Sequence, residues 1–285
     1  ASDNVERLAQ MTVRAVSYNI QYGFGLDDRF DPDRIVDAVR DADIICLQEV
    51  TRGYIKNGGV DMPAALSDAL PEHFSCFHPA GDLDMGSALA EGRAVNRRFQ
   101  FGNMILSRWP LVTVRGHLLP RTWRKDTLNL QRGALEAQIF TPSGLLRVYS
   151  IHLDHIDPRE RMAQVRALKS IALDFPTTGG AISGGRSFGV EEIDDKGDFL
   201  LMGDFNFEPS SDEYRLMLDG EAIIDATTAD QGWTWRTPHA VEKTERSRLD
   251  YAFCNTALAS RISNVKIDRD AEGSDHMPVW IEISA

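Results

Sequence analysis

Residues 12–18 (TVRAVSY) alternate between apolar and polar side chains in strand fashion and end at Asn19. A Gly-containing loop, QYGFGLDD, follows. Asp31-Pro32 then opens a helix, with Asp as cap, Pro at the first helical position, and Ile35, Val36 and Val39 at helical spacing. Residues 43–47 (DIICL) read as a buried strand with Gln48 and Glu49 at its C-terminal end, and a short helix is predicted over 62–70. Strands are predicted at 101–107, 111–119, 132–140 and 145–152, with turns at Arg108-Trp109-Pro110 and Pro142-Ser143-Gly144. An amphipathic helix over 158–174 places Met162, Val165, Leu168, Ile171 and Ala172 on one face. The strand 199–203 (FLLMG) runs into Asp204-Phe205-Asn206, and a helix follows with Ser210 as cap and Glu213 three residues on. The last strands are predicted at 249–254 and 277–283.

Three stretches stand outside this pattern. Residues 1–10 are polar and peripheral, and 80–100 lack periodicity. Residues 177–197 hold six glycines in 21 positions, which suits a linker between domains, an insertion within one, or a lid over a site. Alternating strands and helices, with hairpin-like strand pairs between them, point to an α/β or α+β sandwich with more than one sheet.

Composition narrows the class. At 285 residues, 42% hydrophobic and 26% charged, the chain suits a globular protein, not a collagen, a disulfide scaffold or a disordered chain. No apolar run approaches the roughly 18 residues of a membrane span. The formal charge of −12 is the wrong sign for a protein built only to coat DNA, although a basic groove can sit on an acidic body. Cys46 and Cys254 sit in apolar runs and, with Cys76, make an odd count. They read as buried thiols of a cytoplasmic protein; a periplasmic or secreted location applies if a signal was removed before Ala1.

The candidate chemistry lies at the strand ends. Asn19, Glu49, His152, Asp204 with Asn206, Asp250, and Asp275 with His276 each adjoin an apolar run. Singly, each reads as a turn residue, a cap or a satisfied core group. Together, projected from rigid sheets, they suit a preorganised site. Carboxylates and amides without sulfur select Mg²⁺ or Mn²⁺, and two histidines suit acid–base work. If extended, Asp204 and Asn206 share a face, whereas Asp275 and His276 point apart on a strand. Such a set fits phosphoryl or phosphodiester hydrolysis.

Seven segments occur in order: SYNIQYG (17–23), LQEV (47–50), GNMILSRWPL (102–111), SIHLDH (150–155), MGDFN (202–206), RLDYAF (248–253) and GSDHMPV (273–279). This set resembles the endonuclease/exonuclease/phosphatase superfamily, which includes pancreatic-type deoxyribonuclease, apurinic-site endonucleases, neutral sphingomyelinases and inositol polyphosphate phosphatases. The resemblance covers residues 12–283 and implies a four-layered α/β sandwich of two packed β-sheets flanked by helices. It also implies one domain over 1–285, with 177–197 as an insertion. By this resemblance Glu49 is the principal Mg²⁺ (or Mn²⁺) ligand, with Asn19 beside it and Asp275 a further metal-site carboxylate. Asp204 orients or deprotonates water, Asn206 holds the phosphate or a metal, His276 contacts the scissile phosphate, Asp250 orients His276, and His152 lies near the leaving group. Asn103 and Arg132 are carried over as phosphate-contacting or supporting residues.

Two departures narrow the branch. Apurinic-site endonucleases usually carry Tyr at the position of His152 and Asp at that of Gln21. WTWRTP (233–238) replaces the segment typical of inositol polyphosphate 5-phosphatases. The expectation is a metal-dependent phosphoesterase, with a DNA or RNA nuclease as one alternative and a catalytically silent binding protein as another. Its substrate would be a small molecule, a lipid headgroup or a nucleic acid, and no obligate protein partner is implied. The segments 80–100 (with Arg93, Arg97 and Arg98), 177–197, and Trp233 with Trp235 are expected around the mouth of the site, Trp235 for stacking on substrate.

Overall fold

The computed structural model describes residues 12–191, 193, 197–239 and 242–284; the polar stretch 1–10 lies outside them. Two six-stranded sheets are stacked face to face. The first has the order Ile262–Ile267, Val279–Ile283, Val13–Asn19, Ile44–Arg52, Arg98–Ser107 and Phe74–Asp84. The second runs Ile224–Asp225, Asp250–Cys254, Phe199–Asp204, Gly144–His152, Gly133–Thr141 and Leu111–Leu118.

Strand parity builds the layers. Val13, Ala15, Ile44, Cys46, Val148, Leu200, Met202, Ala252 and Cys254 meet between the sheets. The alternate residues Val16, Tyr18, Ile45 and Leu47 face outward, onto Ile35, Val36, Met62 and Leu66 of the helices Pro32–Val39 and Met62–Ala69. On the other side Tyr149, Ile151, Leu201, Tyr251 and Phe253 pack on Val165, Leu168 and Met217 of the helices Pro158–Leu173 and Asp212–Leu218. The result is the expected helix–sheet–sheet–helix sandwich.

Several details differ from the sequence expectations. The strand predicted at 43–47 continues to Arg52 through a bulge between Leu47 and Val50. Residues 80–100 are not irregular. They complete the strands Phe74–Asp84 and Arg98–Ser107, beyond which Ala88–Ala90 and Arg93–Val95 form a hairpin. The cap of the helix after Asn206 is Ser211, not Ser210. Its hydroxyl accepts from Tyr214 N at 3.1 Å, and Glu213 pairs with Arg161 instead of closing a capping box. Asp31 precedes its helix without a side-chain cap and pairs with Arg34. Cys46 and Cys254 are buried free thiols, and Cys76 is half-buried.

The Gly-rich segment does not lie at the mouth of the site. Gly179, Gly180, Ile182, Ser183, Gly184 and Gly185 wall a cavity with Thr113, Gln138 and Phe175. Gln138 pairs with Arg147, five residues from His152 along the same strand, or roughly 17 Å at 3.3 Å per residue. The segment therefore packs toward the opposite end of the second sheet, where its glycines fit the sheet edge.

Candidate active site

Asn19, His152, Asp204 and Asp250 continue the between-sheet parity of their strands beyond the apolar core, Asp204 and Asp250 by one step and Asn19 and His152 by two. Where that core ends, the two sheets are tied by polar groups. Gln48 Nε2 donates to Ser150 Oγ at 2.9 Å, Ser150 Oγ donates to Leu47 O at 2.9 Å, and Asn103 Nδ2 donates to Gly133 O at 2.9 Å and Ser150 O at 2.8 Å. These groups are buried but fully engaged, so they fix the sheets against each other without a desolvation penalty left unmet. Asn103 thus spends its amide on this tie and is not among the residues that line the cavity above.

The cavity has a volume of 420 Å³ and is lined by Gln21, Tyr22, Glu49, Leu128, Leu130, Arg132, His152, His155, Asp204, Asn206, Trp235, Ser247, Leu249, Asp275 and His276. Parity alone would turn Glu49 toward the helices. The bulge, with Glu49 at φ 58°, re-aims it into the cavity. Gln21, Tyr22 and Asn206 also hold φ of 44–56°. Left-handed backbone at four non-glycine residues lining one cavity is the pattern of a functional site.

Asp204 is the hub. Its Oδ2 accepts from Asn19 Nδ2 at 2.9 Å and lies 3.4 Å from His152 Nε2 and 3.6 Å from His276 Nε2. Its Oδ1 accepts from Asn206 N at 2.9 Å, closing an Asx turn, so the pair is not extended as the spacing had suggested. Asn206 still reaches the cavity, and its Nδ2 donates to Leu153 O at 3.1 Å. Burial, reinforced by Asp250 and Glu49 against the pull of His276 and Asn19, raises Asp204 to about 7.

His276 Nδ1 donates to Asp250 Oδ2 at 2.8 Å. The same oxygen accepts from Thr234 Oγ1 at 2.7 Å, and Thr234 Oγ1 itself accepts from Leu249 N and Asp250 N at 3.0 and 2.9 Å. Burial opposes charge on His276, but Asp250 and then Asp204 outweigh it and hold the imidazole well above its usual range. Asp275 and His276 do not point apart. They precede the strand Val279–Ile283, and an isolated bridge from His276 to Trp235 turns both into the cavity. Trp235 Nε1 donates to Asp275 Oδ2 at 2.9 Å, so it walls the site and holds a carboxylate there. Trp233 packs in a small core with Leu26, Ile267, Met277 and Val279.

His152 has the opposite character. Burial first, then Arg132, His276 and His155, push it well below its usual value, so it is neutral. Arg132 Nη1 lies 2.8 Å from its ring nitrogen, and Nη2 donates to His155 Nδ1 at 2.9 Å. Arg132 is buried, has no carboxylate partner, and its Nε is unengaged. Such a guanidinium facing a cavity is a ready anion site.

Asp204, Asp250 and His276 bring ligand-type atoms within 4.8 Å of one another. We read this group as a proton relay, because Nδ1 of the imidazole is already committed to Asp250. Glu49 fits a cation better. Burial and then the charge of Asp275 raise its carboxyl, and its one hydrogen bond, from Asn19 Nδ2, is 3.3 Å long. Two hard carboxylates, Glu49 and Asp275, lining one cavity suit a divalent ion. Asn19 lies beneath them. Its Nδ2 bridges Glu49 and Asp204, and its Oδ1 accepts from Gln21 N at 3.0 Å, which makes it a positioner of the ligands.

Tyr22, His155, Leu128, Leu130 and Thr234 went unassigned in the sequence. Tyr22 and His155 lay in the segments SYNIQYG and SIHLDH, and Thr234 in WTWRTP, which pointed to tryptophan stacking; Leu128 and Leu130 had no signal.

The family model of the endonuclease/exonuclease/phosphatase family matches residues 16–276. Solved structures show the same fold. An endonuclease/exonuclease/phosphatase from Beutenbergia cavernae is 18% identical with a TM-score of 0.69, covering 96% of this chain and 72% of that one. A mannosyl-6-phosphatase of Bacteroides thetaiotaomicron is 17% identical (TM-score 0.59; 95% and 99% covered). The 3′ phosphatase NExo of Neisseria, bound to a product DNA hairpin, is also 17% identical (TM-score 0.60; 96% and 100%). No curated protein matches the sequence. The chain belongs to the endonuclease/exonuclease/phosphatase family of phosphoester hydrolases, a generally divalent-metal-dependent group.

Proposed function

We propose that the protein hydrolyses phosphodiesters with Mg²⁺ or Mn²⁺ held by Glu49 and Asp275. The carrying observation is the opposed protonation of groups around one cavity: a charged His276, a neutral His152, and an Asp204 poised near neutrality. The bound ion would supply charge neutralisation at a phosphoryl oxygen.

The chain's own groups do the rest. Arg132, a buried guanidinium that lines the cavity, binds a phosphate oxygen. Asp204, at about 7, takes a proton from water as the water oxygen attacks phosphorus. His276 donates from Nε2 to a phosphoryl oxygen as charge builds there, while Asp250 fixes its Nδ1–H tautomer. The bond to the leaving oxygen breaks in line with attack, and that oxygen is protonated from solvent. His152 and His155 stay neutral and hold Arg132 in place.

The test is hydrolysis of bis-p-nitrophenyl phosphate and of a panel of nucleic acids, phospholipids, nucleotides and sugar phosphates with Mg²⁺ or Mn²⁺, repeated in EDTA. Activity should vanish in chelator. Glu49→Gln should lose about 10²-fold or more in kcat while its circular dichroism is unchanged. Full activity in EDTA refutes the proposal.

A further inference from the structure

The most exposed large apolar side chains are unevenly placed. Five of the six most exposed, Ile55, Leu89, Trp123, Leu128 and Leu118 (78%, 77%, 74%, 70% and 62%), lie on segments that leave the sheets at the catalytic end; the sixth, Phe188 at 81%, is on the Gly-rich segment toward the other end. Ile55 follows the strand carrying Glu49, and Leu89 is in the hairpin beyond Asp84 and Arg98. Leu118 pairs with Gly133, which pairs with His152. Trp123 and Leu128 stand on the loop between Leu118 and Gly133.

That loop is built to display them. The buried Glu160 accepts from Thr122 N at 2.8 Å and from Arg124 at 3.0 Å, and Asn129 Nδ2 donates to Thr122 O at 2.8 Å. Its base is therefore clamped while its tip is apolar. Leu128 also lines the catalytic cavity, so the loop that displays Trp123 borders it.

The same segments carry Lys56, Arg93, Arg97 and Lys125, none in an ion pair among the described residues, against two similarly unpaired acids, Glu91 and Asp126. The chain as a whole has charge −12, so this rim runs against the body. We propose that the catalytic end docks on a bilayer containing anionic phospholipid, and that the phosphoester it cleaves is a lipid headgroup presented there. The substrate half rests on the phosphoesterase reading; the docking half does not.

Three features favour this occupant. Exposed aliphatic and Trp side chains with interspersed cations match an interfacial surface. Four of the five apolar groups are aliphatic and offer no ring for a base to stack on. They stand on separate segments at the end of the sheets where the cavity opens, so a protein covering them all would obstruct substrate, whereas a bilayer delivers it from the same plane.

The test is co-sedimentation with vesicles of phosphatidylcholine alone and of an equal mixture with phosphatidylglycerol. Wild type should partition onto the mixed vesicles. The triple variant Ile55→Ser/Leu89→Ser/Trp123→Ser should lose roughly tenfold or more of that partitioning while still hydrolysing bis-p-nitrophenyl phosphate at the wild-type rate. Lys56→Gln/Arg93→Gln/Arg97→Gln/Lys125→Gln should lose the preference for phosphatidylglycerol, by about fivefold per cation. Absence of wild-type partitioning, or partitioning unmoved by the triple variant, overturns docking. So does binding of a single-stranded oligonucleotide, or self-association without lipid, that the triple variant abolishes. Docking with bis-p-nitrophenyl phosphate cleaved but headgroups intact overturns only the substrate assignment. Docking by a protein that cleaves nothing leaves this surface standing and sinks the phosphoesterase reading instead.

Discussion

Asp250→Asn separates catalysis from stability. In the wild type Asp250 Oδ2 accepts from His276 and Thr234, while Oδ1 is buried with no partner. Asparagine can keep its carbonyl oxygen at the Oδ2 position and place its NH₂ where Oδ1 stood. Both hydrogen bonds survive in form, and the new unsatisfied donor replaces an acceptor that was already unsatisfied. Removing a buried charge at the same time offsets part of that cost. The melting temperature should therefore move by no more than about 5 °C, on the scale of roughly 2–4 °C per kcal/mol for a chain of this size.

Catalysis should fall much further. A hydrogen bond to a charged group contributes about 1.5–3 kcal/mol, so neutralising the acceptor takes roughly 10- to 150-fold from the stabilisation of the imidazolium. Burial opposes the charge on His276 and Asp250 is the largest group that raises it, so without that charge the imidazolium is less favoured and its pKa falls. Loss of a charged donor at the developing phosphoryl charge brings the total to about 10²–10³ in kcat. The sign follows. The active form is the imidazolium, so activity is lost as pH rises through the His276 pKa. In the wild type that limb lies well above 6.5. In the variant it moves to lower pH, and the deficit is larger at pH 8.5 than at pH 6. Steady-state kinetics across that range, with the fold checked by circular dichroism, decide it. A kcat within about threefold of wild type and an unshifted limb would refute the orienting role.

Thr234→Val, nearly isosteric, strips the hydroxyl from two buried N–H groups and from Asp250; it should cost about 2–4 kcal/mol in urea denaturation and lower kcat, with Thr234→Ser restoring both. Glu136, held below the usual carboxylate range by His117 and Arg115 despite its burial, stabilises the fold above its unfolded pKa, and that contribution disappears as pH falls through the folded value. Glu136→Gln should therefore cost about 1–3 kcal/mol at pH 7 and progressively less below about pH 4, as chemical denaturation at each pH would reveal. Replacing 179–195 with a short Gly-Ser linker should leave kcat/KM on bis-p-nitrophenyl phosphate unchanged, because the segment packs toward the far end of the second sheet; a selective catalytic loss would place it at the site after all.

Much of the site was legible because strand parity is legible. Val13-Ala15-Ser17-Asn19, Val148-Ser150-His152 and Leu200-Met202-Asp204 each step from apolar core to polar end on one face, and a reader of alternation finds three site residues there. Glu49 breaks the rule. Alternation after Ile44, Cys46 and Gln48 assigns it to the helix side, and only a bulge with a left-handed residue reverses that. Asp275 and His276 are similar, since their backbone precedes the strand and takes its direction from a bridge to Trp235, more than thirty residues away in the chain. Asn103 and Asn19 look like ligands in one dimension, and become struts only when the groups their amides engage are known.

The two halves of the chemistry also differ in what they demand of the fold. Asp204 is at the end of a central strand, flanked by the strands of His152 and Asp250, so its neighbours are set by ladder register, Asp204 facing His152 on one side and Asp250 on the other. That register buries Asp204 and adds the repulsion of Asp250 to the burial that lifts it, and requires no special backbone. Bringing Glu49 and Asp275 into one cavity instead takes a bulge and an isolated bridge, because strand parity would turn Glu49 to the helix side and Asp275 precedes its strand. The backbone irregularities of this protein therefore bring in Glu49, Asp275 and His276, while its regular strands place Asp204, Asp250 and His152.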